Sequence, residues 1–161
     1  MNELPKRKNI RLSQYDYSQN GAYFITICTK DRQSLFGSVG ADSISARTIT
    51  TTFENTIKQY SGISAPIFVV MPNHFHAIIM IERADMESAP TISDVVQAFK
   101  RYSTVEYSKM VHQGMLPPYD KQVWQRGFYD HIIRNQSDYD EIYRYIENNP
   151  VQWEQDELYT Q

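Results

Sequence analysis

The sequence predicts an α+β fold of the ferredoxin-like sandwich class, an antiparallel sheet with helices packed on it. Three observations carry that expectation. Apolar, β-branched runs alternate with segments of three- and four-residue apolar spacing, in the order β, α, β, β, α, β, α. The middle pair of strand-like runs meets at a Pro-Asn dipeptide, a turn signal. The chain has 161 residues and one cysteine, so it is expected to be one domain, 1–161, with a core of its own and no disulfide framework.

Residues 1–20 read as an extended basic arm containing "PKRKNIR". "GAYFITICTK" is aromatic and β-branched and predicts a strand over about residues 22–29, with "DRQSLFG" continuing as turn and edge. After the polar "SVGADSIS", Ile49, Phe53, Ile57 and Tyr60 recur at helical spacing in "ARTITTTFENTIKQYSG", and Gly62 closes that helix. "APIFVVMPNHFHAIIMIE" predicts two strands joined at Pro72-Asn73, because proline suits a connection and not a continuous central strand. A start signal at Thr91 or Ser93 opens a second helix carrying Val95, Val96, Phe99, Tyr102 and Val105, with Gly114 as its stop. "MLPPYDK" is loop, and "QVWQRGFYDHIIRN" predicts the last strand. The final helix, 137–149, is expected to start at Ser137 as N-cap, with Asp138 and Asp140 in its first turn and Pro150 as its stop.

Composition narrows the function classes. The N-terminus is charged and lacks an apolar run of signal-peptide length, and no apolar stretch is long enough to span a bilayer. With one cysteine, this predicts a soluble cytoplasmic protein without a membrane partner. A net charge of −3 argues against non-specific coating of nucleic acid, but the basic residues are clustered. Arg7, Lys8 and Arg11 in the arm, together with Arg126 and Arg134, are the candidate contacts to phosphates or bases. Twelve tyrosines are a high count, and base stacking is one use for them.

In "NHFHAII", His74 and His76 share one face of a strand while Phe75 points to the other and can anchor the core. Two imidazoles on one face form two corners of a metal site. His112, His131 and Cys28 make no compact spacing with the pair, so a structural zinc site is poorly supported, whereas an open site with an oxygen ligand suits a catalytic ion.

On the last helix, Tyr139, Ile142, Tyr143 and Ile146 form the expected buried stripe. At about 100° per residue, Tyr145 lies roughly 110° from its middle, with Asn149 one turn along on the same flank. A phenolate is a good enough leaving group for its phosphate ester to be reversed, which suits cutting and rejoining a phosphodiester. A divalent ion held by His74, His76 and the Asn149 side-chain oxygen would polarise the phosphate while Tyr145 attacks.

Three blocks, "IRLSQYDYSQNGAYFITICTKDRQSLFG", "MPNHFHAIIMI" and "VWQRGFYDHIIRNQSDYDEIYRYIENNP", together resemble the single-tyrosine HUH transposases, and most the REP-associated tyrosine transposases. The resemblance implies His74, His76 and Asn149 as ligands of Mg2+ or Mn2+ and Tyr145 as nucleophile. It implies cleavage and rejoining of single-stranded DNA near hairpins through a 5′-phosphotyrosine, by a bacterial, nucleoid-associated protein acting as monomer or homodimer. Two other classes fit parts of the sequence: a non-catalytic module binding hairpin DNA or RNA, and a His-x-His metallohydrolase acting on small molecules.

Overall fold

A computed structural model describes residues 21–37, 43–82 and 90–160. The expected arm contacts Arg7, Lys8 and Arg11 lie outside the described residues. The elements run β1 (Gly21–Cys28), α1 (Ile44–Lys58), β2 (Ile63–Met71), β3 (His74–Ile81), α2 (Ile92–His112), β4 (Tyr129–Ile133) and α3 (Gln136–Asn148). The strands form one antiparallel sheet in the order β2-β3-β1-β4, so β1 and β3 are central, as in a ferredoxin-like sandwich.

Strand alternation sorts the side chains onto two faces. Tyr23, Ile25 and Ile27 of β1 are fully buried with Phe75, Ala77 and Ile79 of β3, beneath α1 and α2. Phe75 packs there against Phe53 of α1 at 4.7 Å and Phe99 of α2 at 4.9 Å between ring centroids. The opposite face carries Phe24, Thr26, His74 and His76, and α3 covers it from the β2–β3 side. Pro66 falls where the β2 register shifts between Ser64 and Ile67, on an edge strand that tolerates the missing donor.

Three boundaries differ from those the sequence suggests. Ser43 Oγ accepts from the Ala46 amide at 3.1 Å, so α1 begins at Ile44, inside the stretch read as polar loop. Asn135, not Ser137, caps α3: its Oδ1 accepts from Asp138 N at 2.8 Å, and the helix runs 136–148 with Asn149 as C-cap. The last strand is shorter than expected because Gly127 turns the chain at a φ of 71°, leaving Trp124 as an isolated bridge to Thr29. In α3 only Ile146 is buried, while Tyr139, Ile142 and Tyr143 are half-buried, because the helix rests on one side of the sheet.

Candidate active site

The register of β3 delivers the two imidazoles side by side, with ring centroids 4.6 Å apart. His74 is 0 % exposed and His76 2 %. The proton on His74 can be placed by following its partners. Asn73 Nδ2 donates to the Leu158 carbonyl at 2.7 Å, which fixes the orientation of that amide and turns Asn73 Oδ1 towards His74 Nδ1 at 2.8 Å. An amide oxygen only accepts, so Nδ1 of His74 carries the proton and Nε2 presents a lone pair. Nδ1 of His76 pairs with Thr26 Oγ1 at 2.8 Å on the neighbouring strand.

α3 brings the tyrosine over this pair. Its start is tied to β4 by His131 Nε2, which donates to Asp138 Oδ2 at 2.8 Å. At the other end, the Tyr145 ring lies 5.4 Å from the His76 ring and 6.0 Å from Phe24, with 44 % of the residue exposed. One turn on, Asn149 is buried and keeps helical backbone angles of −57° and −42° although Pro150 follows, a combination proline disfavours. Asn149 Nδ2 donates to Asp156 Oδ2 at 2.7 Å. That bond leaves Asn149 Oδ1 as the free end of the amide, buried and without a hydrogen-bond partner, as are Nε2 of His74 and Nε2 of His76. The structure thus brings together Tyr145, His74, His76 and Asn149.

Asp156 is the residue the sequence reading missed. Beyond α3 the chain turns through a short 3₁₀ segment, Trp153–Gln155, and Asp156 caps it. Its Oδ2 accepts from the Tyr145 hydroxyl at a long 3.4 Å and lies 3.9 Å from His74 Nε2. Donor atoms of His74, His76 and Asp156 all fall within 4.8 Å of one another. Arg32 also escaped notice, since it follows β1 in a turn where Asp31 and Arg32 both adopt positive φ, which no periodicity signals.

Burial pushes His74 down to about 4, against the opposing pull of the Asp156 carboxylate and the Asn149 side chain, with the charge on Arg32 also lowering it. Burial and then His74 hold His76 well below the usual imidazole range. Both rings are therefore neutral near pH 7, the form that ligates metals. Tyr145 moves the other way, up to about 12, first through burial and then through the Asp156 charge. Its phenol stays protonated until positive charge is supplied nearby.

The two candidate arginines within the described residues sit at opposite ends of the sheet. Arg126 lies two residues past the Thr29–Trp124 bridge, next to the β1 end where Cys28 pairs with His74. Arg134 follows Ile133, which pairs with Ala22 at the far end, about 20 Å away at ~3.3 Å per residue. Lys100 is committed to structure: its ammonium donates to the carbonyls of Gln125 and Gly127 and holds the Arg126 loop.

A family profile described as "Transposase IS200 like" matches residues 17–149. A Haemophilus influenzae protein of uncharacterised activity is 34 % identical over 174 residues, covering 95 % of this chain and 93 % of that one. The REP-associated tyrosine transposase of Escherichia coli K12 is 24 % identical over 141 residues, covering 84 % of this chain and 69 % of its own. A solved REP-associated tyrosine transposase bound to a REP hairpin superposes with a TM-score of 0.61 at 23 % identity, over 88 % of this chain and 74 % of that one, and so shares the fold. The match over most of its length, with relatives of that description, means that the chain belongs to the IS200-like transposases, the single-tyrosine HUH family, on its REP-associated side.

Proposed function

We propose that this protein is a divalent-metal-dependent transposase that cuts and rejoins single-stranded DNA beside hairpins, with Tyr145 as nucleophile. The observation that carries the reading is the convergence of three buried polar atoms without hydrogen-bond partners, His74 Nε2, His76 Nε2 and Asn149 Oδ1, beside the Tyr145 ring. Leaving such atoms unpaired costs about 1–3 kcal/mol each, so their retention on one spot points to a ligand they share. Two imidazoles and an amide oxygen suit Mn2+ better than Mg2+, since imidazole is a soft donor for magnesium. When bound, the cation would withdraw charge from a phosphodiester oxygen and stabilise the charge that builds up during attack.

The protein's own groups do the rest. Tyr145 Oη bonds to phosphorus while the bond from phosphorus to the 3′ oxygen breaks. The 5′ side stays on the tyrosine as a phosphate ester, and the phenol proton balances the released 3′-hydroxyl. Attack by another 3′-hydroxyl reverses the step and restores the phenol without external energy. Asn73 and Thr26 hold the imidazoles in place. Arg126 and Arg32 lie at the same end of the sheet and suit phosphate contacts along the entering strand, whereas Arg134 suits contacts to a hairpin further off; the basic arm residues Arg7, Lys8 and Arg11 add positive charge for the DNA. Tyr145 lies over the His pair of its own chain, so action in cis requires no exchange of α3 between copies. Chromosomal hairpins as substrate would associate the protein with the nucleoid.

The test is a denaturing gel of the protein mixed with labelled hairpin oligonucleotides and Mn2+ or Mg2+. A covalent protein–DNA band is expected only with metal, and its loss is expected in Tyr145→Phe with hairpin binding unchanged. A band that persists in Tyr145→Phe refutes the nucleophile. Tight binding with no band under any metal would instead identify a hairpin-binding module.

A further inference from the structure

Residues beyond 149, where the family profile ends, build one wall of the site. The Trp153 ring lies 5.7 Å from the His74 ring, and Tyr159 packs on Trp153 at 5.2 Å. The Leu158 carbonyl orients Asn73, and through it the His74 tautomer, while the Leu158 amide donates to Asp156 Oδ1 at 2.8 Å. Asp156 is thereby gripped from both sides, Oδ1 by this backbone amide and Oδ2 by Asn149 Nδ2, and its side chain is 2 % exposed. A buried carboxylate built into such a cradle, with ligating nitrogens of two neutral imidazoles within 4.8 Å, calls for a cation.

We infer that Asp156 is the charged ligand of the metal site, joining His74, His76 and Asn149. The inference rests on the metal-dependent reading above and extends it to a residue outside the matched region. Two imidazoles and an amide bring no charge to a dication taken out of water, whereas a carboxylate brings one and is a hard donor suited to Mn2+ and Mg2+. The spacing agrees. Around an ion with bonds of about 2.1 Å, octahedral donors lie roughly 3.0 Å apart when adjacent and 4.2 Å when opposite. Asp156 Oδ2 and His74 Nε2, 3.9 Å apart, fall within that span. An ionised carboxylate has about four lone-pair sites, so the bonds from Asn149 and Tyr145 leave room for the ion. Asn149 then works with both ends of its amide, Oδ1 towards the ion and Nδ2 holding Asp156.

Mn2+ titration of the full-length, chelator-stripped protein, read by the EPR signal of free Mn2+, separates the two readings. Asp156→Asn keeps an oxygen that can accept from Asn149, so a residue that merely positions Asn149 would survive that change while a charged ligand would not. The expected result is an affinity at least tenfold weaker in Asp156→Asn and in Asp156→Ser, with Glu154→Gln, an exposed carboxylate two residues away, within twofold of wild type. Wild-type affinity in either Asp156 variant, alongside loss in His76→Ala, overturns the inference and leaves the metal site standing. No Mn2+ binding by the wild-type protein, with or without hairpin DNA, overturns both. Melting curves in chelator identify a variant that fails to fold, and the other Asp156 variant then decides.

Discussion

Thr26 and Asn73 touch neither the phenol nor a phosphate, yet they govern how the two imidazoles present themselves. His76 Nδ1 meets Thr26 Oγ1 at 2.8 Å, and the Ile25 carbonyl also favours a proton on that ring. Such partners fix a ligand's tautomer and angle, and their loss weakens metal sites by roughly 10–100-fold. Thr26→Val is nearly isosteric and β-branched, so the strand should stand. Mn2+ affinity is expected to fall about tenfold with stability changed by less than ~1 kcal/mol, checked by titration and urea denaturation on the same preparation. Equal affinity would mean that the surrounding rings of Phe24, His74 and Tyr145 hold the imidazole without Thr26. At this scale the sequence carries the His pair and the off-stripe tyrosine, because strand and helix periods fix which residues share a face. It does not carry Asp156, one of several acids in the last ten residues, because the turn that folds it back has no period.

Elements are readable where one periodic face meets one core, and their ends are readable only where a single residue dictates the turn. Gly62 is such a residue, taken from the sequence as the close of the α1 run, and it adopts a φ of 75° in the connection to β2. A Cβ there would sit 2.1 Å from the Glu82 carbonyl oxygen, and the Gly62 carbonyl receives the Glu82 amide at 2.7 Å. Gly114, at a φ of 72° after α2, has open space around the same position. Gly62→Ala should therefore cost more than Gly114→Ala: about 1 kcal/mol for the left-handed backbone in both, and at least ~1 kcal/mol more at Gly62 for moving the β3 end. Guanidinium melts of the two variants give the comparison, and equal losses would show that the β3 end yields without cost. The start of α3 departs from the sequence expectation for a related reason. Asn135 and Ser137 are both good N-caps, and only the tie between Asp138 and His131 on β4 favours the earlier one.

Across the whole molecule the sheet divides its labour between two faces, and alternation along β3 puts both functions in one tripeptide. Phe75 faces α1 and α2 in the core, while His74 and His76 face α3 with Nε2 atoms that nothing among the described residues satisfies. Phe75→Ala removes a fully buried ring and is expected to cost ~3–5 kcal/mol whether or not metal is present. The double change Thr26→Val/His76→Leu should act in the opposite sense in chelator, raising stability by about 1 kcal/mol, because it replaces both partners of one hydrogen bond and a buried unpaired nitrogen by apolar atoms of similar size. Metal reverses the order: at a hundred times its Kd a ligand that binds only the folded state adds about 2.7 kcal/mol, which wild type gains and the variant does not. Urea denaturation of both proteins with chelator and with Mn2+ should therefore show stabilities that cross. If the double variant is instead less stable by several kcal/mol in chelator, the ring is a packed structural residue. If the curves keep their order in Mn2+, the face under α3 holds no ion.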